Sequence, residues 1–454
     1  MLTFVICAWL LVAADPEPLE IVAYDLALEI EPDAREIHGE ARLELHAVAG
    51  SVEEARLSLN RLLTISAIES QGKPVAFKDG KEIAEGREVT LTLKPPVRKG
   101  ERREFVIKYR GKALDPGPED PDWMGVLLVR AVEIRMSHQA QWYPVLPRDD
   151  RAMSILSAPM KLKLTLPAGL ESLGPGELRG RKASANGREV HEWESKRAIK
   201  GSILAGKYVA QTVKDGALQV RALAFEEHQA GAKLWAKAAL EALKSLEARF
   251  GKVQNATYGI AEMRVRNRKR SYNYEADGFS VYDAVLFDGR EARIEKVAHE
   301  VAHLWWGGQV NASGRGERFL KESLAEMSAY LFIEEARGVA NANELAKGWL
   351  ERYQNNPGAE DAIADATFRS ARYSEVIYAK GPLALRALRE RIGAERFDRG
   401  LAAFAAKFAG KAPMLDDFIK TMRGSGGDAV TAWASEWLTT TGMPKSATPT
   451  PSPK

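Results

Sequence analysis

The segment His299-Glu300-Val301-Ala302-His303 places two imidazoles four residues apart with a carboxylate beside the first. On a helix that spacing sets both rings on one face, with Cβ atoms roughly 5–6 Å apart, so that two ring nitrogens can meet one metal ion at about 2.0–2.1 Å. Glu300 flanks the same face and can take a proton from a water there without becoming a ligand. The flanking Val297, Ala298, Val301, Ala302 and Leu304 make this helix largely apolar, and ionisable groups on a buried helix need a partner or a metal. The helix is expected to start near Arg290 and stop at Gly307-Gly308. A catalytic zinc usually has three protein ligands and one open position. Glu322, nineteen positions after His303 in an apolar setting, is the expected third ligand, and Glu326, one turn further along, is a candidate to hold a ligand histidine through a hydrogen bond. The expected cofactor is one Zn2+ per chain.

These side chains need a scaffold, and the chain supplies two textures. From Glu20 to about Ala210, short β-rich runs such as IVAYDLALEI, EARLELHAV and EFVIKYRG alternate with turn residues and read as an all-β domain arranged as a sandwich. After His228 the pattern becomes helical, beginning with AKLWAKAALEALKSLEARF and stopping at Gly251. An irregular or stranded stretch from about Val253 to Asp288 interrupts the helices, which then run through Thr439. The expected fold class is α+β multidomain, with a β domain at 15–212, a mainly helical zinc domain at 213–444, and a disordered Pro/Ser/Thr tail at 445–454.

HEVAHLWWGGQV followed by LKES resembles the H-E-x-x-H-x-W-[FW]-G-x-x-V and x18-E pattern of the aminopeptidase N family of gluzincin metallopeptidases. VIYAKGPLALRAL resembles the family's Y-x-K-G motif. That resemblance implies that Tyr378 bonds the tetrahedral intermediate and that Tyr373, matching the tyrosine often found five residues earlier, is a substrate-binding residue. The resemblance also implies a saddle-shaped N-terminal β domain and a thermolysin-like catalytic domain closed by WLTTTGMP, which is similar to W-x-x-x-x-G-x-P. A short member of this kind would lack the C-terminal helical domain that encloses the cleft in many relatives, leaving the site more open. The family recognises a free α-amine through the Glu of G-x-M-E-N. Here the corresponding stretch is YNYEADGFSVY, where Glu275, twenty-four residues before His299, is the one motif residue retained. It is the expected ammonium partner.

A formal charge of +3, from 65 Lys and Arg against 62 Asp and Glu, does not call for a nucleic-acid partner. The run MRVRNRKR, 263–270, is the one basic cluster, and it reads as a solvated loop or an exposed strand face. Around Trp142 and Tyr143, QWYPVLP reads as core packing, with Gln139 or Gln141 as a weaker candidate substrate contact. Residues 1–14 are an uncharged apolar run ending in Val-Ala-Ala, expected to be a signal peptide. With that peptide removed there is no stable membrane insertion, and the protein is periplasmic or extracellular. An uncleaved anchor is the alternative, although the run is shorter than the ~20 residues that span a bilayer. The single cysteine, Cys7, lies within it, so a processed chain forms no disulfide.

Together these features point to a zinc aminopeptidase acting on peptides, with Glu300 as general base and Tyr378 as oxyanion donor. Two alternatives stay open: a zinc endopeptidase with an open cleft, and an inactive peptide-binding scaffold.

Overall fold

The computed structural model describes residues 18–83, 86–114, 127–146, 157–253, 257–264, 273–276, 278–287 and 293–444. The expected signal peptide with Cys7, the tail at 445–454 and most of the basic run lie outside them.

Alternation of apolar and polar residues builds the first domain. In the strand Leu19–Glu31, Leu26, Leu28 and Ile30 are buried while the residues between them are exposed, as a two-residue period requires for a sheet with one dry face. This strand pairs antiparallel with Glu36–Ala47 and parallel with Ala158–Pro167 at the heart of an eight-stranded sheet. A three-stranded sheet, in the order Val52–Asn60, Gly86–Val97, Phe77–Ile83, packs onto the same hydrophobic core, so the domain is layered as a sandwich. Trp142 and Tyr143 are fully buried in that core.

A five-stranded mixed sheet joins the two domains. Its order is Val209–Asp215, Leu218–Ala224, Thr257–Met263, Phe279–Asp283, Asn273–Glu275, with the three central strands parallel and both edges antiparallel. Successive residues serve opposite cores. Ala222, Tyr258, Ile260 and Tyr282 face the helices, whereas Leu223, Ala261 and Val281 pack with the first domain. The expected boundary at 212/213 falls inside the strand Val209–Asp215, whose register runs along Leu218–Ala224 of this shared sheet. The stranded stretch expected between Val253 and Asp288 is accounted for by three strands of the same sheet.

The second domain is helical on the far side of that sheet. Gln229–Phe250 buries Ala232, Trp235, Ala239, Leu243 and Leu246 along one stripe, and the chain leaves it at Gly251, whose φ of +90° suits a residue without Cβ. No helix among the described residues is long and apolar enough to cross a membrane.

Candidate active site

The helix carrying the histidine pair runs Ile294–Ala302 and is buried from Val297 onward. It ends earlier than expected, at Ala302 and short of the Gly307-Gly308 pair. The N–H groups of Trp305 and Trp306 still bond Ala302 O at 3.0 Å, but Gly307 turns to φ +108° and bonds Val310 O at 2.8 Å, which closes the chain into a tight turn. His303 keeps a helical conformation, φ −64° and ψ −14°, so its spacing from His299 survives the early stop. The expected start near Arg290 lies outside the described residues.

His299, His303 and Glu322 converge, with one potential ligand atom from each lying within 4.8 Å of the others. Glu322 Oε2 is 3.6 Å from His299 Nε2 and 3.3 Å from His303 Nε2. Donors on a tetrahedron with bonds of about 2.0–2.1 Å are roughly 3.3–3.5 Å apart, so this donor set fits zinc. The remaining ring nitrogens are also engaged. His303 Nδ1 lies 2.9 Å from Trp306 O, which can only accept, so this nitrogen donates, and Nε2 is the ring nitrogen turned to Glu322. His299 Nδ1 is 3.3 Å from Glu326 Oε1, and Trp349 Nε1 donates to the other Glu326 oxygen at 3.1 Å. Burial opposes charge on both His299 and Glu322, yet the neighbouring Glu326 and Glu322 hold His299 well above the usual imidazole range, and His303 and His299 hold Glu322 well below the usual carboxylate range.

Glu322 and Tyr378 both sit in single π-helical turns, Phe319–Ser323 and Val376–Lys380, each running directly into an α-helix. A π turn inserts one residue and swings the side chains that follow, and such turns concentrate at functional sites. Ser323 Oγ donates to Ile377 O at 2.6 Å. A methyl group at Gly381 would overlap Ser323, so glycine there permits the close approach of the two turns. Tyr378 stacks over His299 with ring centroids 6.0 Å apart, and Tyr373 meets Tyr378 edge-on at 5.8 Å. Burial and the facing Glu322 carboxylate push the Tyr378 phenol well above its ordinary pKa, so it stays a proton donor.

Lys380 of the Y-x-K-G motif points away from this chemistry. Its buried ammonium donates to Glu360 Oε1 and to Thr440 O, each at 2.9 Å, while Arg372, Tyr353 and the Gly442 N–H also bond Glu360. One carboxylate thereby ties the turn bearing Tyr378 to the WLTTTGMP segment. Residue spacing along the chain carries no sign of Glu360, because its partners lie up to 82 positions away.

Glu300 is buried, with 3% of its surface exposed. Asn273 Nδ2, from the edge strand Asn273–Glu275, donates to its Oε1. Sequence reasoning passed over Asn273, which is an ordinary polar residue 27 positions upstream with no motif to mark it. Glu275 lies two residues along the same strand and therefore on the same face of the sheet as Asn273. Its Oε1 accepts the Gly278 N–H at 3.1 Å, which orients the carboxylate. Tyr258, bonded through its hydroxyl to Ser280, lies near both carboxylates: burial first, then Glu300 and Glu275, push its pKa well above the ordinary value. Of the glutamines in the first domain, Gln141 accepts a bond from Ser58 Oγ at 2.5 Å, which uses its side chain inside that domain.

Residues 281–437 match the Peptidase family M1 domain. Aminopeptidase N of Streptomyces lividans is 26% identical over 163 residues, covering 34% of this chain and 19% of that protein. Aminopeptidase N of Lactococcus lactis subsp. lactis is 28% identical over 164 residues, covering 33% and 18%. The matched part of the chain thus spans less than a fifth of the length of these curated relatives. Among solved structures, the M1 zinc metallopeptidase of Deinococcus radiodurans superposes with a TM-score of 0.78 at 20% identity, over 96% of this chain and 97% of that one. A mutant of the Deinococcus radiodurans enzyme bound to Tyr-Ser-Ala gives 0.74 at 21% identity, over 94% and 95%. At that identity the likeness is one of fold, a β-rich first domain followed by a helical second, and it extends over nearly all of both chains.

Proposed function

We propose that this chain, which carries a peptidase family M1 domain of the aminopeptidase N-like gluzincin type, is a zinc-dependent aminopeptidase that removes the N-terminal residue from peptides. The observation that carries this reading is the convergence of His299, His303 and Glu322 within 4.8 Å, with Glu300 next to the first of them.

In this reading the two histidines and Glu322 hold one zinc ion, and Glu326 and the Trp306 carbonyl keep the rings oriented. When bound, zinc polarises the scissile carbonyl and lowers the pKa of a water at the site to about 7. Glu300 takes the proton from that water on a carboxylate oxygen and returns it to the departing amine. Tyr378 donates its phenolic O–H to the developing oxyanion, an interaction that in comparable sites contributes roughly 3–4 kcal/mol. Tyr373, edge-on to that ring, limits its freedom. Glu275 pairs with the substrate's α-ammonium and so sets where cleavage falls. Its shared strand face with Asn273 supports this role. The apolar leader at 1–14 supports export to the periplasm or the outside.

Aminoacyl fluorogenic substrates and their N-acetylated counterparts, assayed with and without a chelator, test the proposal. Chelator-sensitive cleavage of the free forms alone is expected. Equal cleavage of blocked peptides would transfer the assignment to an open-cleft endopeptidase, and cleavage of neither would leave a peptide-binding scaffold.

A further inference from the structure

We infer that Asn273 is a positioning residue for the reaction, fixing the Glu300 carboxylate so that one oxygen is held and the other is presented to water. The inference rests on the zinc peptidase reading and adds to it a residue that neither the histidine motif nor the amine-recognition stretch singles out.

The case begins with burial. At 3% exposure the Glu300 carboxylate has lost most of its hydration, and a buried carboxylate needs donors to replace it. Among the described residues, Asn273 Nδ2 is the one hydrogen-bond donor to it. A carboxylate accepts only, so the Asn273 amide must turn its NH2 group toward Glu300, and this settles which way the amide faces. The terminal torsion of a glutamate is soft and roughly two-fold, so without a fixed donor the carboxylate plane would sample a broad range. A bond to Oε1 narrows that range and commits Oε2 to proton transfer.

The donor itself is held by the sheet. Asn273 opposes Tyr282 in the antiparallel ladder between Asn273–Glu275 and Phe279–Asp283, and Phe279–Asp283 is buried throughout. The edge strand thus serves two groups from one face: Glu275 stands two residues from Asn273, so the same strand that orients the base also carries the expected ammonium partner. In a chain whose amine-recognition stretch keeps only its glutamate, an asparagine two residues earlier ties that stretch to the catalytic helix by a direct side-chain bond.

The test compares wild type, Asn273→Ala and Asn273→Leu as zinc-loaded full-length proteins, reading kcat, KM, zinc content and Tm. Leu keeps the approximate shape of Asn and cannot donate a hydrogen bond, so it separates the bond from the packing. Both variants are expected to lose about ten- to hundredfold in kcat, the range found when groups that orient catalytic residues are removed, with KM within about twofold and zinc content and Tm unchanged. Full kcat in Asn273→Leu overturns the inference while leaving the peptidase reading intact. A parallel fall in zinc content and Tm overturns it in favour of a structural role. A wild type inactive on every aminoacyl substrate overturns the peptidase reading, and this assignment with it.

Discussion

Ser323 Oγ donates to the carbonyl oxygen of Ile377 at 2.6 Å, and through that bond the turn carrying Glu322 and the turn carrying Tyr378 are held against each other. The two residues lie 54 positions apart in the chain, yet each is next to a candidate site residue, a metal-ligand glutamate on one side and a phenol on the other.

The metal assignment separates residues by what they lose. Glu322→Gln and His303→Ala are expected to fall well below one zinc per chain, whereas Glu300→Gln retains the metal and the fold but almost no turnover, because its carboxylate carries a proton and is not a ligand. Metal analysis beside a peptidase assay checks this, and equal zinc loss in Glu300→Gln and Glu322→Gln would refute the division of roles.

Tyr378→Phe is expected to lower kcat about a hundredfold or more while leaving KM nearly unchanged, since an oxyanion bond strengthens mainly in the transition state. Tyr373→Phe keeps the edge-on ring contact and should cost much less. Steady-state kinetics on one free aminoacyl substrate decide between them, and a fully active Tyr378→Phe protein would remove the phenol from the mechanism.

For Glu275, replacement by Gln is expected to raise KM for free amino-terminal substrates far more than for acetylated ones. An ammonium entering a partly dry cleft gives up hydration that a facing carboxylate replaces, and charge-assisted bonds are stronger than neutral ones. Equal effects on both substrate sets would mean that Glu275 does not read the amine.

The Glu360 cluster makes a prediction about stability and pH. Glu360→Gln leaves the buried Lys380 ammonium without its anion, and breaking a buried pair in this way costs roughly 3–5 kcal/mol. Although burial alone would raise the Glu360 pKa, its bonds from Lys380 and Tyr353 bring it below the ordinary value of 4.5. The stabilisation is therefore fully present above that value and lost as pH falls through the lower folded-state one. Denaturant unfolding of wild type and variant should show the widest gap near neutral pH and a narrowing gap in acid. A constant gap across that range would show that the Glu360 charge is not what stabilises the fold.

Much of the cluster of His299, His303 and Glu322 was legible in the chain, because its logic is local. Two histidines and a glutamate within five residues can share a helix face by geometry alone, and a further glutamate in an apolar helix needs a reason to be there. The change from two-residue to helical periodicity likewise located the β-rich and helical halves, since each period follows from backbone geometry. What the tertiary structure decided is everything that depends on which distant segments meet. The strand Val209–Asp215 belongs to a sheet shared by both cores because its partners, not its own residues, select its neighbours. The π turns at Glu322 and Tyr378 have no signature in residue type, and they meet each other through Ser323 and Gly381. Asn273 reaches Glu300 and Glu360 gathers Lys380, Arg372 and Gly442 by the same rule: a side-chain hydrogen bond acts over about 3 Å of space and is indifferent to separation along the chain.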